Sequence, residues 1–496
     1  MPTDRPNILI VMTDQQRVGL TAAEGGPDTM PRVDALLDGG TRFDHAHTSS
    51  PTCVPARTSL LTGRFPSAHR VRQNSTPQDA LYSSDLLDVL RERGYRLHFA
   101  GKPHMHPEPD DFDSFHGPFW HEGGPAESAE HEAFDAWLRE LDHSVAHTPT
   151  PFPVDAQLPA RIVDGALEAL DQGGTDAAAA DPFLLWVSFP EPHNPYQVPE
   201  PYFSLFDPDQ VPDRDAGPEV LGRLGWRFRW LHDLIEDKRP GFDHEWRRLR
   251  ANYLGMLRLL DDQIGRLLDH LGPTLEDTIV VVLSDHGDLV GEYGLQRKGV
   301  GLPEALTRIP LGMTGPGIAA QRRSELVSIV DLLPTIAERV RAAIPPGVQG
   351  RSLLPLLEGE VAPPREFSTI YVEHGYGGVS YREGDHPPLH FPYEGRSFDE
   401  LNSVTQSGEM RMVGDGRHAL IMDDLGEAFL YDLQEDPAQV DNLIEDPDSA
   451  DVAARLYRAL ALWMMRVADD LPDGAYRPRT VAHNWRWAEG ASEDEG

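Results

Sequence analysis

Four short apolar runs set the limits on what this chain can fold into: NILIVMT (7–13), YRLHFAG (95–101), FLLWVSF (183–189) and TIVVVLS (278–284). Each is too short for a buried helix, and each stands between turn-forming residues and stretches of helical periodicity. PRVDALLDGG opens with Pro31 and closes on Gly39-Gly40, the punctuation of a short helix. Further helices are expected over ARTSLLTGR after Cys53, over SDLLDVLRERG (84–94), over the long amphipathic stretch 249–271 and over IVDLLPTIAERV. IPLGM reads as another strand. Strands alternating with helices predict an α/β fold around a large, mostly parallel central sheet. The segment 105–160, rich in Pro, Asp, Glu and His, reads mainly as loops.

Beyond about residue 365 the pattern becomes local and antiparallel. RMVGDGRHALIMDD is a hairpin turning at Asp415-Gly416, EAFLYDL a further strand, and SADVAARLYRALALWMMRVADDL a closing helix. The expected division is therefore a catalytic α/β domain over 1–365 and a smaller α+β domain over 366–496, carrying an antiparallel sheet. The acidic tail EGASEDEG is expected to be disordered.

Chemistry-bearing residues follow each of the four runs. Asp14 and Gln15 follow the first, Lys102 and His104 the second, His193 the third, and Asp285 and His286 the fourth. In open α/β sheets ligands bind outside the carboxyl ends of the strands, so these residues could converge. Together they hold two carboxylates, an amide, three histidines and a lysine, the inventory of a hard-cation site beside an anion-binding acid/base site. Taken singly, each has a plainer reading. An aspartate after a strand caps a helix or forms a turn as readily, and Lys298 alone is a solvated surface lysine. His45, His47, His69, His106 and His116 fit no strand-end pattern and are left as structural or exposed.

With 44 basic against 81 acidic residues, the net charge of −37 disfavours nucleic acid and anionic membranes as partners. An anionic substrate must therefore meet basic residues gathered locally. No apolar run approaches membrane-spanning length. The N-terminal run is expected to be a strand and not a signal peptide. A single cysteine, Cys53, rules out an internal disulfide framework and makes a reducing, cytoplasmic setting the expectation. Ahead of a helix start, its thiol would have a lowered pKa. It could equally be a small buried hydrophobe. A thiol enzyme would need His and Asn or Asp partners, but nothing in that chemistry accounts for Pro55 and Arg57.

CVPARTSLLTG resembles the signature of the type I, formylglycine-dependent sulfatases, Cys-x-Pro-x-Arg followed by a helix ending in Thr-Gly. NILIVMTDQQ resembles the family's first metal strand, GKPH its Gly-Lys-x-His, PHNPY its His-bearing loop, and SDHGDLVGEYGLQRKG its second metal strand with a downstream lysine. The C-terminal hairpin region is similar as well, so the likeness runs from about residue 5 to about 470. The resemblance implies the alkaline-phosphatase-like fold and hydrolysis of a sulfate monoester. It implies that Cys53 is oxidised to Cα-formylglycine by a formylglycine-generating enzyme that reads Pro55 and Arg57. Asp14, Gln15, Asp285 and His286 are implied as ligands of one divalent cation, with residue 53 adding an oxygen. Gln15 and His286 stand where the commonest pattern has Asp and Asn. Two fewer charges than an all-carboxylate set weaken attraction for Ca²⁺, the family's usual ion, and leave Mn²⁺ or Mg²⁺ open. Arg57 and Lys102 are implied to steady the nucleophile, and Lys298 and the metal to neutralise the sulfuryl oxygens. His193, with Lys298, is implied to protonate the leaving alcohol, and His104 to take the proton that releases sulfate. Asn74 lies where relatives place a polar residue near position 53.

Three other readings stand beside this one. A phosphonate monoester hydrolase or phosphodiesterase shares the Cys motif and a similar metal set, but tends to lack Gly-Lys-x-His, which is intact here. A non-catalytic binding protein predicts loss of at least one key group, and none is missing. A thiol enzyme predicts an unmodified Cys53. Loops 105–160 and 374–405, with their acids and aromatics, are expected to shape the leaving-group side for a cationic or sugar alcohol. Aryl, choline-type and carbohydrate sulfates are not separated, and homo-oligomerisation stays open.

Overall fold

A computed structural model describes residues 5–74, 76–173, 181–375, 382–383, 408–468 and 482–487. The acidic tail and nearly all of 374–405 lie outside the described residues.

The four apolar runs form β1 (Asn7–Asp14), β3 (Arg96–Gly101), β5 (Phe183–Pro192) and β6 (Thr278–Ser284). They join β2 (Thr41–His47), β4 (Ser114–His116), β7 (Leu311–Thr314) and β8 (Gln321–Ser328). The eight strands are ordered β4-β3-β5-β1-β6-β7-β2-β8. All neighbours pair in parallel except at β7, which runs antiparallel to both β6 and β2.

Central strands of such a sheet are apolar on both faces because both are covered. In β1, Leu9 and Val11 enter one core with the helices Pro31–Asp38, Leu158–Gly173 and Trp246–Leu271, while Ile8, Ile10 and Met12 enter the other. That second core is closed by the helices Cys53–Thr62, Leu86–Glu92 and Leu332–Arg339. Strands β5 and β6 divide in the same way: Leu185 and Val187 against Leu184 and Trp186, Val280 and Val282 against Ile279 and Val281. Each such side chain contributes about 1.5–3 kcal/mol on burial.

A second, antiparallel sheet has the order β12-β11-β10-β9, from β9 (Ile370–His374), β10 (Met410–Gly414), β11 (His418–Asp423) and β12 (Ala428–Asp432). The β10–β11 hairpin turns at Asp415-Gly416, where Asp415 Oδ1 accepts from the Arg417 and His418 amides at 3.0 and 2.7 Å. The helix Ala450–Val467 closes this sheet onto the core shared with Phe65 and Leu332.

The segment 105–160 departs from the expectation of loops. It holds β4 and a thirteen-residue helix, Ala129–Leu141, capped by Ser128, whose side chain accepts from the His131 amide. That helix was hard to read because its buried side is narrow: Phe134, Asp135 and Leu138. Among the described residues, no helix is long and apolar enough to cross a membrane.

Candidate active site

Asp14 ends β1 and Asp285 follows the last residue of the adjacent parallel β6, so their carboxylates arrive at the same edge of the sheet, each fully buried. The chain leaves β1 through Gln15, whose φ of 72° is a left-handed geometry that a non-glycine residue adopts at a cost. That turn brings the Gln15 amide N–H onto Asp285 Oδ1 at 3.1 Å. The His286 amide donates to the same oxygen at 2.9 Å. At the end of β3, Gly101 has φ of 120°, and a Cβ there would lie 1.9 Å from the Ser188 carbonyl. Only glycine lets β3 approach β5 this closely just before Lys102.

The Cys53 helix begins one turn earlier than expected, with Cys53 its first residue and Thr52 at the N-cap. Cys53 is fully buried. Its Sγ lies 3.3 Å from His286 Nε2 and 3.7 Å from Asp14 Oδ1. His286 Nδ1 donates to the Gly287 carbonyl at 2.9 Å, which leaves the Nε2 lone pair facing Cys53. One turn on, Arg57 reaches between the two aspartates. Nη2 donates to Asp14 Oδ2 at 3.0 Å and Nε to Asp285 Oδ2 at 2.9 Å. Nη1 donates to the Lys102 carbonyl and to Ser188 Oγ. Lys102 Nζ donates to Asp14 Oδ2 at 2.7 Å, and Lys298 Nζ to Gln15 Oε1 at 2.7 Å.

These contacts decide the protonation states. Burial pushes the Asp14 carboxyl up, but Lys102 and Arg57 more than reverse it and hold it well below the usual carboxylate range. For Cys53, burial and Asp14 raise the pKa, yet the cations around it, Lys298 and then Lys102, outweigh them and the net shift is downward. Burial, then Lys102 and Arg57, hold His104 neutral. Burial, then the charge of Lys298, do the same to His193. Both are therefore neutral imidazoles. Glu191, beside His193, is pushed up to about 8 by burial and stands as a neutral carboxyl at pH 7.

Every residue expected at the site therefore surrounds Cys53 or lines a cavity of about 980 Å³ opening over it, whose walls include Asn74, Lys102, His104, His193 and Lys298. Asn74 Oδ1 is already engaged, accepting from the Val54 amide at 3.1 Å. It fixes the start of the Cys53 helix. His69 packs inside, paired with Ser59 Oγ, as expected of a structural histidine.

Asp288 was not singled out from the sequence, although it stands in the same SDHGD run. Its Oδ2 accepts from Gln15 Nε2 at 2.6 Å and from the Tyr196 hydroxyl at 2.8 Å. Its Oδ1 accepts from the Val290 and Arg297 amides, both at 2.8 Å. One carboxylate thus orients the Gln15 amide and pins the loop carrying Lys298. An amide expected as a ligand needs a partner to choose which end faces inward, and that requirement was the available signal. Asp288→Asn is expected to lower both kcat/KM and divalent-cation affinity about 10–100-fold, checked by steady-state kinetics and cation titration.

The ligand atoms of Asp14, Cys53, Asp285 and His286 lie within 4.8 Å of one another, and all four residues are buried. Among the described residues, Asp14 Oδ1 has only the weak thiol contact at 3.7 Å as a hydrogen-bond neighbour. A fully buried carboxylate oxygen with no better partner, beside a histidine lone pair and an amide oxygen, suits a divalent cation.

Residues 6–342 match the Sulfatase family. The chain is 28% identical over 497 residues to the choline-sulfatase of Rhizobium meliloti, covering 95% of this chain and 89% of that one. It is 25% identical over 480 residues to an arylsulfatase of Clostridium perfringens, covering 90% and 91%. The solved phosphonate monoester hydrolase of Agrobacterium radiobacter superimposes with a TM-score of 0.74 at 23% identity, over 93% of this chain and 96% of that one. That likeness establishes the alkaline-phosphatase-like fold.

Proposed function

The chain belongs to the sulfatase family, and on that footing we propose that it hydrolyses a sulfate monoester to an alcohol and inorganic sulfate, with residue 53 as nucleophile after oxidation to formylglycine. The observation that carries this reading is the placement of Cys53. It is a buried residue at a helix start, set between a hard-donor cluster and two lysines, at the floor of a cavity large enough for a small ester.

Asp14, Gln15, Asp285 and His286 would hold a cation of the calcium class, which when bound supplies positive charge to the sulfuryl oxygens. The hydrated aldehyde supplies two hydroxyls on one carbon, one to attack sulfur and a second whose deprotonation releases sulfate. The chain's own side chains do the rest. Arg57 offsets the charges of both aspartates, so neither repels an incoming anion as a bare carboxylate would. Lys102 and Lys298 bring two cations into a molecule whose overall charge is −37. They account for how an anionic ester is drawn to this one place.

His104, held neutral, is ready to accept the proton whose removal expels sulfate. His193 donates Nδ1–H to the Asn194 carbonyl at 2.8 Å, which leaves Nε2 for the leaving oxygen. Its neutrality means that it is not a stored acid. A sulfate anion between Lys298 and Lys102 offsets the charges that hold His193 down, so binding raises its proton affinity where the alcohol departs. Lys298 is the second donor in reach.

The test is a panel of aryl, choline and sugar sulfates set against an aryl phosphonate monoester on the same purified protein. The intact pair Lys102 and His104 predicts higher kcat/KM on at least one sulfate than on the phosphonate. The reverse order would make the chain a phosphonate hydrolase on the same fold.

A further inference from the structure

We propose that His121, Glu122 and His143 form a second cation site, for an imidazole-binding transition metal such as Zn²⁺, at the wall of the active-site cavity. The three are separate from the cluster beneath Cys53, and the proposal does not depend on the reaction assigned above.

Their ligand atoms lie within 4.8 Å of one another. Glu122 Oε1 is 3.7 Å from His121 Nε2 and 3.8 Å from His143 Nε2. Donors around a tetrahedral zinc stand about 3.4 Å apart, so the two carboxylate–histidine separations need to close by less than about half an ångström. Two histidines and a glutamate are a donor set that leaves a zinc coordination position open, and here the open side is the cavity. One carboxylate and two nitrogens do not suit Ca²⁺, which prefers six or more oxygens.

The backbone is shaped to present these side chains. The Trp120 amide donates to the Gly123 carbonyl at 2.7 Å and the Gly123 amide returns a bond to Trp120 at 3.1 Å, which places His121 and Glu122 at the tip of a tight turn. Asp142 and His143 both have positive φ, 44° and 62°, a costly pair for non-glycine residues. Lys238 and Arg239 grip Asp142 and hold that turn, so His143 faces Glu122.

Two buried polar atoms on the histidine side have no hydrogen-bond partner among the described residues, His121 Nδ1 and Asn194 Oδ1. Asn194 Nδ2 lies 2.8 Å from His143 Nδ1. A half-turn of that amide lets Oδ1 accept from Nδ1–H. It satisfies the orphan oxygen and leaves the His143 Nε2 lone pair facing Glu122, the outer partner that metal-ligating histidines have. Burial above all, with the charge of Lys102 added, keeps His121 neutral, so its lone pair is available too. His121 also stacks on His193, ring centroids 4.7 Å apart, so the ion would stand one ring away from the leaving-group histidine.

Equilibrium dialysis of the full chain against Zn²⁺ in excess Ca²⁺ tests this. Wild-type protein is expected to retain Zn²⁺, and Glu122→Gln and His143→Gln are each expected to weaken retention at least about ten-fold. Glu122 is half-exposed, so its amide variant keeps the fold, and circular dichroism checks both. Absence of Zn²⁺ from wild type under excess Ca²⁺ would overturn the site. So would wild-type affinity in either folded variant, since the ion would then sit elsewhere.

Discussion

Replacing Cys53 with alanine is expected to lower kcat/KM on the best sulfate ester by at least about 10⁴, the scale on which enzymes lose rate with their nucleophile. The change keeps Cβ and removes only the group beyond it, so the protein should remain folded, at a cost of about 1–2 kcal/mol for the small cavity. The comparison of interest is with His104→Ala. If residue 53 turns over through a sulfated intermediate, loss of the base that releases sulfate leaves the first step intact. A burst of alcohol then precedes a slow steady state. Cys53→Ala shows neither burst nor turnover. Equal, burst-free slowing in both variants would count against a two-step reaction at residue 53.

Arg57 carries the second large effect, and it falls on stability. Its guanidinium is wholly buried and donates to four acceptors: Asp14 Oδ2, Asp285 Oδ2, the Lys102 carbonyl and Ser188 Oγ. Removing one member of a buried charge network strands the others, so Arg57→Ala is expected to cost about 3–5 kcal/mol in urea unfolding. Arg57→Lys should recover little, because one ammonium cannot span both carboxylates as a planar fork does. Adding Asp14→Asn to Arg57→Ala should cost less than the sum of the single changes, since it removes part of the stranded charge. Strict additivity would show that the two residues do not share a network. The lowered pKa of Asp14 gives the sign with pH. Its contribution is complete above the ordinary aspartate value and is lost as pH falls through the depressed folded value.

The parts of the fold legible in the sequence were those with local causes. Strands β1, β3, β5 and β6 are covered on both faces and read as short apolar runs. β2 and β8 did not, because TRFDHAH and QRRSELVS carry charge toward the partly exposed end of the sheet. The antiparallel direction of β7 leaves no mark on LGMT itself; it is decided by the path from β6. The helix Ala129–Leu141 was hidden by its acidic outer face. At the site, the residues following the strands could be assembled from the general rule that ligands bind at the carboxyl ends of such sheets. Asp288, Tyr196 and the group His121, Glu122 and His143 could not. Their roles arise from contacts across the fold: Gln15 with Asp288 spans 273 residues of chain. The lowered pKa expected of Cys53 from its helix start is present, but Lys298 and Lys102 bring it about against burial and Asp14. The same two lysines are the ones that would hold the substrate.

Whether residue 53 is a thiol or an aldehyde is read by mass spectrometry of the peptide containing it, from protein made in its native host and treated with a thiol-alkylating reagent and, separately, with a hydrazide. An aldehyde at residue 53 predicts a peptide that refuses the alkylating reagent and takes up the hydrazide. A peptide that is quantitatively alkylated, from protein that still turns over sulfate esters, would contradict the account and return Cys53 to the role of a thiol.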